Sequence, residues 1–254
     1  MHLSTDGIVI KQRNIGEEDK IITVLTRDSG VIDASVRGAR RIKSRLLSSV
    51  GLFSYSDFIF YKGKSNYIVN SAESKESFYA IADDIEKLSL AFYLCDLIYN
   101  LASDGDGSEE LLRLLLNSLY LLKSTDKSVK IIKAVFELKS MQYSGYMPDF
   151  FGCSRCGCNN GQGFYFDVKD GRIICAECLG DGFGPNFVPL PPKTLLAARL
   201  ILTSDVAKAF SFTLSDSELR VLSDVCEKFV IHQLNKKLKT LEFYDQLVTE
   251  QKDD

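Results

Sequence analysis

The sequence predicts an α+β protein: a five-stranded β-barrel at the N-terminus, then an α-helical domain that carries a finger with four cysteines. Three observations lead there. Up to about residue 75, the apolar residues come in short β-branched and aromatic runs. From about Ser77 they recur at helical spacing instead. Further on, Cys153-x-x-Cys156 and Cys175-x-x-Cys178 stand eighteen residues apart in a chain with only two histidines. The pattern divides the chain into residues 1–76, the barrel, and residues 77–254, the helical domain, with the finger inserted at about 150–183.

The strand runs are Gly7 to Lys11, Ile21 to Thr26, Val31 to Val36, Tyr55 to Tyr61 and Tyr67 to Asn70. Asp28-Ser29-Gly30 is a turn that joins the second and third into a hairpin. Five short strands at this spacing fit a small closed barrel of the oligonucleotide-binding (OB) type, and on pattern alone an SH3-like barrel fits almost as well. In the fourth run Tyr55 and Tyr61 share one parity and Phe58 and Phe60 the other, so alternation sends one set to the interior.

The helical part opens with Phe78, Ile81, Ile85, Leu88, Phe92, Cys95 and Ile98, and the pattern breaks at residues 102–107. A second helix starts at Ser108, with Glu109 and Glu110 in its first turn. Together with Asp104 and Asp106 these acids read as a solvated loop and helix start, since they lack the register of a calcium loop. A third helix runs from Ser128 to about Tyr143 and stops at Gly145, before Pro148. Helix resumes at Thr194, after the prolines 185, 189, 191 and 192. Another begins at Ser215-Asp216-Ser217-Glu218, a capping box. The leucine stripes are core faces of a bundle, and Cys95 and Cys226 are packing residues within them. The tail from Thr249 to Asp254 is polar and expected to fray.

Four thiolates at this spacing match a tetrahedral zinc site with a full coordination shell, which holds structure and leaves no open position for chemistry. Gly157 after Cys156 is the small residue that a knuckle turn needs, so Cys153, Cys156, Cys175 and Cys178 are the expected ligands, with one zinc per chain. Cys158 offers a fifth thiol. Residues 164–174 between the pairs read as a hairpin turning at Asp170-Gly171. Met1 to Asp6 lacks the basic start and apolar core of a secretory leader, so a cytosolic setting, where disulfides are disfavoured, is expected. No run of eighteen apolar residues occurs, which excludes a transmembrane helix.

The net charge of −3 hides an asymmetry. Residues 1–64 hold eleven basic side chains against seven acidic ones, a balance of +4, which leaves −7 for the rest. Five of the cations, Arg37, Arg40, Arg41, Lys43 and Arg45, fall within nine residues that contain no acid. Such a cluster in an otherwise acidic chain points to phosphate contact, because each Lys or Arg that meets a phosphate releases condensed counterions. Exposed rings on the barrel, drawn from Phe53, Tyr55, Phe58, Phe60, Tyr61 and Tyr67, would supply stacking surfaces for unpaired bases.

Catalytic chemistry is thin. Neither His2, at the terminus, nor His232, on a helix, is placed as a general base. No phosphate-binding glycine loop, nucleophile elbow or His-Glu-x-x-His occurs, and the zinc-deaminase pattern lacks its His-x-Glu. Three readings remain from residues alone: a non-enzymatic DNA-binding protein; a zinc-ribbon scaffold of transcription or translation machinery whose basic segment contacts RNA; or a metalloenzyme, which requires a displaceable ligand on zinc.

The order of motifs narrows this. Gly16-Glu17-Glu18-Asp19-Lys20-Ile21-Ile22-Thr23-Val24-Leu25-Thr26, then Gly30, then residues 36–45, then Gly145-Tyr146-Met147-Pro148-Asp149 and both cysteine pairs resemble the RecO family of bacterial recombination mediator proteins. The resemblance implies an N-terminal OB fold, a helical domain and a zinc finger. It also implies a non-catalytic protein that binds single- and double-stranded DNA and anneals complementary strands in recombinational repair. With RecR, such a protein loads RecA onto single strands coated by single-stranded DNA-binding protein, whose C-terminal tail it contacts. The positions that match the family's DNA-contacting surface are Arg37, Arg40, Arg41, Lys43 and Arg45, with Lys11, Arg13 and Lys20 beside them. The implied location is cytoplasmic, at the nucleoid.

Overall fold

The structure is a computed structural model that describes residues 2–41, 46–63, 66–102, 108–160, 163–180, 182 and 184–250. Five strands, β1 (His2–Ile15), β2 (Asp19–Thr26), β3 (Val31–Val36), β4 (Ser54–Lys62) and β5 (Tyr67–Ser77), form a closed barrel in the order β1-β2-β3-β5-β4. β4 returns to pair with β1, and β3 lies parallel to β5. This is the five-stranded Greek-key barrel of the OB type, which decides against the SH3-like alternative. Closure leaves no open sheet edge, so these short strands satisfy one another's backbone groups.

Period-two alternation built the interior. Ile22 and Val24 of β2, Ile32 and Ala34 of β3, and Phe58 and Phe60 of β4 all point inward, and the two phenylalanines stack 5.2 Å apart. Phe58 and Phe60 are therefore the set that fills the barrel, while Tyr61 stays open at 46% exposure. Phe53 is also buried, in a left-handed backbone conformation (φ 60°), with its ring 5.5 Å from Phe92.

The helical part comprises α1 (Ile85–Leu101), α2 (Ser108–Ser124), α3 (Val129–Tyr143), the short α4 (Ala176–Leu179), α5 (Pro192–Thr203), the short α6 (Val206–Ala209), α7 (Asp216–Leu234) and α8 (Lys239–Glu250). The first helix starts later than the apolar period suggests. β5 runs on to Ser77, a 3-10 turn follows over Tyr79–Asp83, and α1 begins at Ile85 because the Asp84 carboxylate caps the Lys87 amide. Phe78 and Ile81 are buried, as their spacing requires, but not from an α-helix. α5 opens two residues early, with Pro192 in its first turn, where a missing amide costs nothing. The capping box at Ser215 and Glu218 is formed as expected. Asp104, Asp106 and residues 251–254 lie outside the described residues.

Between α3 and α5 the finger is a four-stranded sheet in the order β6-β8-β7-β9, made of β6 (Asp149–Cys153), β7 (Phe164–Asp167), β8 (Arg172–Cys175) and β9 (Phe187–Leu190). β7 and β8 are the expected hairpin, and Gly171 takes φ +63° at its turn. The outer strands were not legible. The pairing of β6 with β8 shifts register between Asp149 and Cys153, and β9 contains Pro189, which is tolerated because β9 is an edge.

The chain clusters into two compact units, residues 1–125 with 243–254, and residues 126–242. α1 and α2 thus belong with the barrel. In the second unit the finger is no isolated appendage. Phe150 stacks on Phe166 at 4.8 Å, and Phe166 meets Phe229 of α7 edge-on at 5.7 Å. Arg199 of α5 donates to the Phe150 carbonyl at 2.7 Å and to the Asn159 carbonyl at 3.3 Å, strapping the finger's first loop to the helix. Between α3 and α7 the Lys133 amine lies 2.9 Å from Glu137 and 2.8 Å from Glu227.

Candidate nucleic-acid interface and metal centre

The β1–β2 hairpin and the chain leaving β3 meet at one end of the barrel. Cross-strand register sets Lys20 opposite Val36 and Arg13 opposite Ile21, which places Arg37 beside the hairpin. The acidic tip of that hairpin then grips the basic segment. The Gly38 amide donates to the Asp19 carboxylate at 2.8 Å, and the Arg40 amide to the Glu18 carbonyl at 2.9 Å. The Arg40 guanidinium reaches the Gly16 carbonyl at 3.2 Å. Arg41 places Nε 2.7 Å from Glu18 Oε2, with Nη2 on the same oxygen. Ala39, fully buried in the barrel core, anchors the segment from inside.

The eight sequence-predicted cations thus fall into distinct settings. Arg13, Arg37 and Arg40 are exposed, and among the described residues none of the three pairs with a carboxylate. Arg41 is exposed but spends its fork on Glu18, which holds its pKa above the ordinary arginine value. Lys20 donates to Gln12 at 3.1 Å. Lys11 is occupied: its amine lies 2.9 Å from Asp96 and 3.5 Å above the Tyr99 ring, both on α1. Lys43 and Arg45 lie outside the described residues. The structure brings Lys20, Arg37, Arg40 and Arg41 together and sets Lys11 apart, because α1 supplies it with a partner that lies 85 residues away in sequence. Glu18 and Asp19 were visible only as letters of a matched motif, and their anchoring role needed the fold.

Of the six candidate rings, Phe53, Phe58 and Phe60 are sealed in the core. The Tyr55 hydroxyl is committed to Asp6, which also holds Arg27 at 2.7 Å. Tyr61 packs against His2 and Tyr67 beneath Lys62.

In the finger, the Sγ atoms of Cys153, Cys156, Cys175 and Cys178 all lie within 4.8 Å of one another. The sequence thus places the four predicted ligands in one cluster. Metal–thiolate bonds of about 2.3 Å in a tetrahedron imply sulfur–sulfur edges of about 3.8 Å. The distance from Cys156 Sγ to Cys175 Sγ is 3.8 Å, the length of such an edge, so the chemistry and spacing of this donor set suit a metal ion. Each pair turns on a tight bend: the Gly157 amide donates to the Cys153 carbonyl at 2.8 Å with Gly157 at φ +73°, and the Gly180 amide to the Ala176 carbonyl at 3.1 Å. Arg155, inside the first knuckle, donates to the Cys178 carbonyl at 2.6 Å and ties the two knuckles together.

Backbone amides aim at these sulfurs. Burial pushes the Cys153 thiol up, but the amides of Cys156, Cys175 and Arg155 outweigh it and bring its pKa down to about 6. Cys156 is also lowered, chiefly by the Cys158 amide. Beside these incipient thiolates, hydrogen bonding to Cys156 raises Cys178 to about 12. Four thiols this close cannot all ionise without a cation among them, so the cluster suits a bound metal ion. By contrast, Cys95 and Cys226 are buried in helices and raised by desolvation, as packing residues should be.

The family described as Recombination protein O N terminal matches residues 1–78, and Recombination protein O C terminal matches residues 82–242. The protein named DNA repair protein RecO from Acetivibrio thermocellus is 36% identical over 242 residues, covering 95% of this chain and 96% of its own length. Its namesake from Alkaliphilus metalliredigens is 34% identical over 237 residues, covering 93% and 95%. Matched in both halves and over nearly its whole length, the chain belongs to the recombination protein O (RecO) family.

Proposed function

We propose that this protein is a non-enzymatic DNA-binding mediator of recombinational repair. In this reading residues 1–76 are the DNA-binding domain, and residues 77–254 are a helical domain that carries the finger. Membership of a family whose members are named DNA repair proteins supports the repair role. The observation that carries the DNA-binding site is the convergence of Lys20, Arg37, Arg40 and Arg41 on one end of the barrel. Lys43 and Arg45 continue the same segment, Arg13 flanks it, and Lys11 contributes only after leaving Asp96. These cations hold phosphates without reading sequence, so they accept single- and double-stranded DNA alike. Neutralising two complementary strands at one place lowers their mutual repulsion and promotes annealing.

The remaining roles rest on the family. With RecR, the protein helps to place RecA on single strands coated by single-stranded DNA-binding protein, and it docks that protein's C-terminal tail. The cysteine cluster holds one structural zinc through Cys153, Cys156, Cys175 and Cys178. When bound, the metal supplies four bonds that fix the knuckles; the chain's own Arg155 and Arg199 orient them. Work on DNA places the protein in the cytoplasm, at the nucleoid.

The test is the triple variant Arg40→Glu, Arg41→Glu and Lys43→Glu, titrated against labelled single- and double-stranded DNA over a range of salt. Affinity falls, and the slope of log affinity against log salt drops by about 3, since three phosphate contacts are lost. An unchanged affinity and slope would remove the site. Competition by RNA of equal length separates this reading from an RNA scaffold, which would prefer the 2′-hydroxyl.

A further inference from the structure

We propose that an apolar groove on the flank of the barrel takes unpaired bases from a single strand whose phosphates lie on the basic segment. The proposal rests on the reading of Lys20, Arg37, Arg40 and Arg41 as phosphate contacts. The groove is a cavity of about 710 Å³ whose walls include Leu47, Phe53, Tyr79, Leu88 and Phe92. That volume lies within the range of sites that hold small organic ligands. Two of its rings are open to solvent: Tyr79 is 71% exposed and Phe92 40%. Neither belongs to the barrel strands, where the density of aromatic residues first suggests stacking. Tyr79 stands in the 3-10 turn and Phe92 on α1, so the strand pattern does not reveal them.

The neighbouring cations select the occupant. Lys20 lines the groove, and Val36, its cross-strand partner, leads directly into Arg37. Past the basic segment, Leu46 packs on the barrel core and Leu47 forms part of the groove wall. Both ends of the basic segment therefore border the groove. A base is tied to its phosphate through one sugar, so a strand held by these cations brings its bases to the rings. Gln12, which also lines the groove, adds a carboxamide of the kind that pairs with base edges, and its oxygen accepts from the Lys20 amine at 3.1 Å. A peptide strand finds no place to pair, because closure of the barrel leaves no open sheet edge.

One wall of the groove is built against a local cost. Phe53 holds a left-handed backbone (φ 60°), which bulky side chains rarely adopt. Its amide donates to the Val9 carbonyl at 2.9 Å, and its carbonyl accepts from the Phe78 amide at 3.2 Å, so the conformation is held from both sides. The ring stands apart from the barrel's interior cluster and lies 5.5 Å from Phe92. Two packed rings thus line the groove. The Ser54 hydroxyl in the same wall is spent on the Ser48 carbonyl at 2.8 Å, which leaves the surface apolar. Bases inside a duplex are paired and stacked on one another, so only unpaired bases can enter. The cations hold either form of DNA, and the groove adds a preference for the single strand. A base must leave the groove before it pairs, so annealing empties the site.

The test uses the full chain and fluorescence anisotropy across a salt series, with three probes of equal length: a single strand, an abasic strand with the same phosphates, and a duplex. Wild type is compared with Tyr79→Ala, with Phe92→Leu, which removes a ring but keeps an apolar side chain, and with Ala82→Leu, which fills the groove from an exposed position. Wild type should bind the single strand at least about 5-fold more tightly than the abasic strand, the worth of one stacked base. Each variant should weaken single-strand binding by about 5-fold or more. Binding of the abasic strand and the duplex should stay at the wild-type level, with the salt slope unchanged, because no phosphate contact is touched. Duplex binding also reports folding, and Tyr79 and Ala82 are exposed, so their variants stand even where Phe92→Leu disturbs packing on Phe53. Equal wild-type affinity for the single strand and its abasic form would overturn the groove and leave the phosphate site intact. Wild-type binding of the single strand by Tyr79→Ala and Ala82→Leu would do the same, and would leave the groove to a protein partner. A wild-type protein that binds none of the probes, or binds them without salt dependence, would overturn the phosphate reading and the groove together.

Discussion

Arg41 closes its guanidinium on Glu18, Nε at 2.7 Å from Oε2 and Nη2 on the same oxygen, so an acid from the β1–β2 turn occupies a cation proposed to meet phosphate. Both side chains are more than half exposed. A surface pair of this kind is weak and screened by salt, so phosphate can compete for Arg41. Glu18→Gln should tighten binding to single-stranded DNA by roughly 2- to 5-fold at low salt and steepen the salt slope by about 1. Fluorescence anisotropy across a salt series measures both. Unchanged or weaker binding would mean that Glu18 serves only to position the segment.

The ion trio between α3 and α7 makes a different prediction. Lys133 and Glu137 are almost entirely buried, and burial alone would lower the lysine's pKa, but Glu137 and Glu227 more than reverse that. Lys133→Met removes the buried cation that faces the Glu137 carboxylate, at a cost of about 3–5 kcal/mol in urea unfolding. Lys133→Met with Glu137→Leu should recover more than half of the loss, since an apolar pair of similar volume needs no desolvation. The raised lysine pKa means that its contribution is complete below the ordinary lysine value and lost only as pH rises through the folded one.

Acid acts elsewhere, at the start of α7. The Glu218 carboxylate accepts from the Ser215 amide at 2.9 Å, which holds its pKa below the usual carboxylate range. Its contribution is present above the unfolded value, about 4.3, and fades as pH falls through the folded one. Glu218→Gln should therefore melt below wild type at pH 7, and the gap should close towards pH 3. A gap that persists in acid would show that charge at this cap is irrelevant.

Gly171 joins the finger to α7 by what it lacks. An added Cβ would stand 2.8 Å from Phe229 Cε2, at a φ of +63° that side chains rarely adopt. Gly171→Ala should cost about 2–4 kcal/mol from strain and overpacking combined. Adding Phe229→Leu should return the overpacking share and leave the backbone share. Additive losses in the double variant would show that the turn and the helix are independent.

These sites differ in how far the sequence announces them. The cysteine quartet is legible because metal ligation demands one residue type at one spacing, and the chain holds few competing donors. The barrel strands and the Ser215 cap are legible for a similar reason, since alternation and capping are local rules. The start of α1 was misread because Phe78 and Ile81 satisfy a helical period from a 3-10 turn, and only the Asp84 cap marks the true beginning. Nothing local distinguishes Lys11, which α1 neutralises, from Arg13, which stays open. Nor does anything near Arg199 point to the finger that it straps.

Composition and periodicity by themselves determined the α+β class, the barrel, the leucine-faced helices, the four-thiol centre and the basic stretch from Arg37 to Arg45. Those follow from short-range constraints: backbone alternation, helical period, ligand spacing and charge density. Tertiary structure alone decided which rings are sealed, which cations are already paired, and that Glu18 and Asp19 hold the basic segment in place. It also bound the finger to α7 through Phe166 and Phe229. Each of these is a distance between residues far apart in the chain, set by strand register and helix packing, and such distances exist only once the chain has closed on itself.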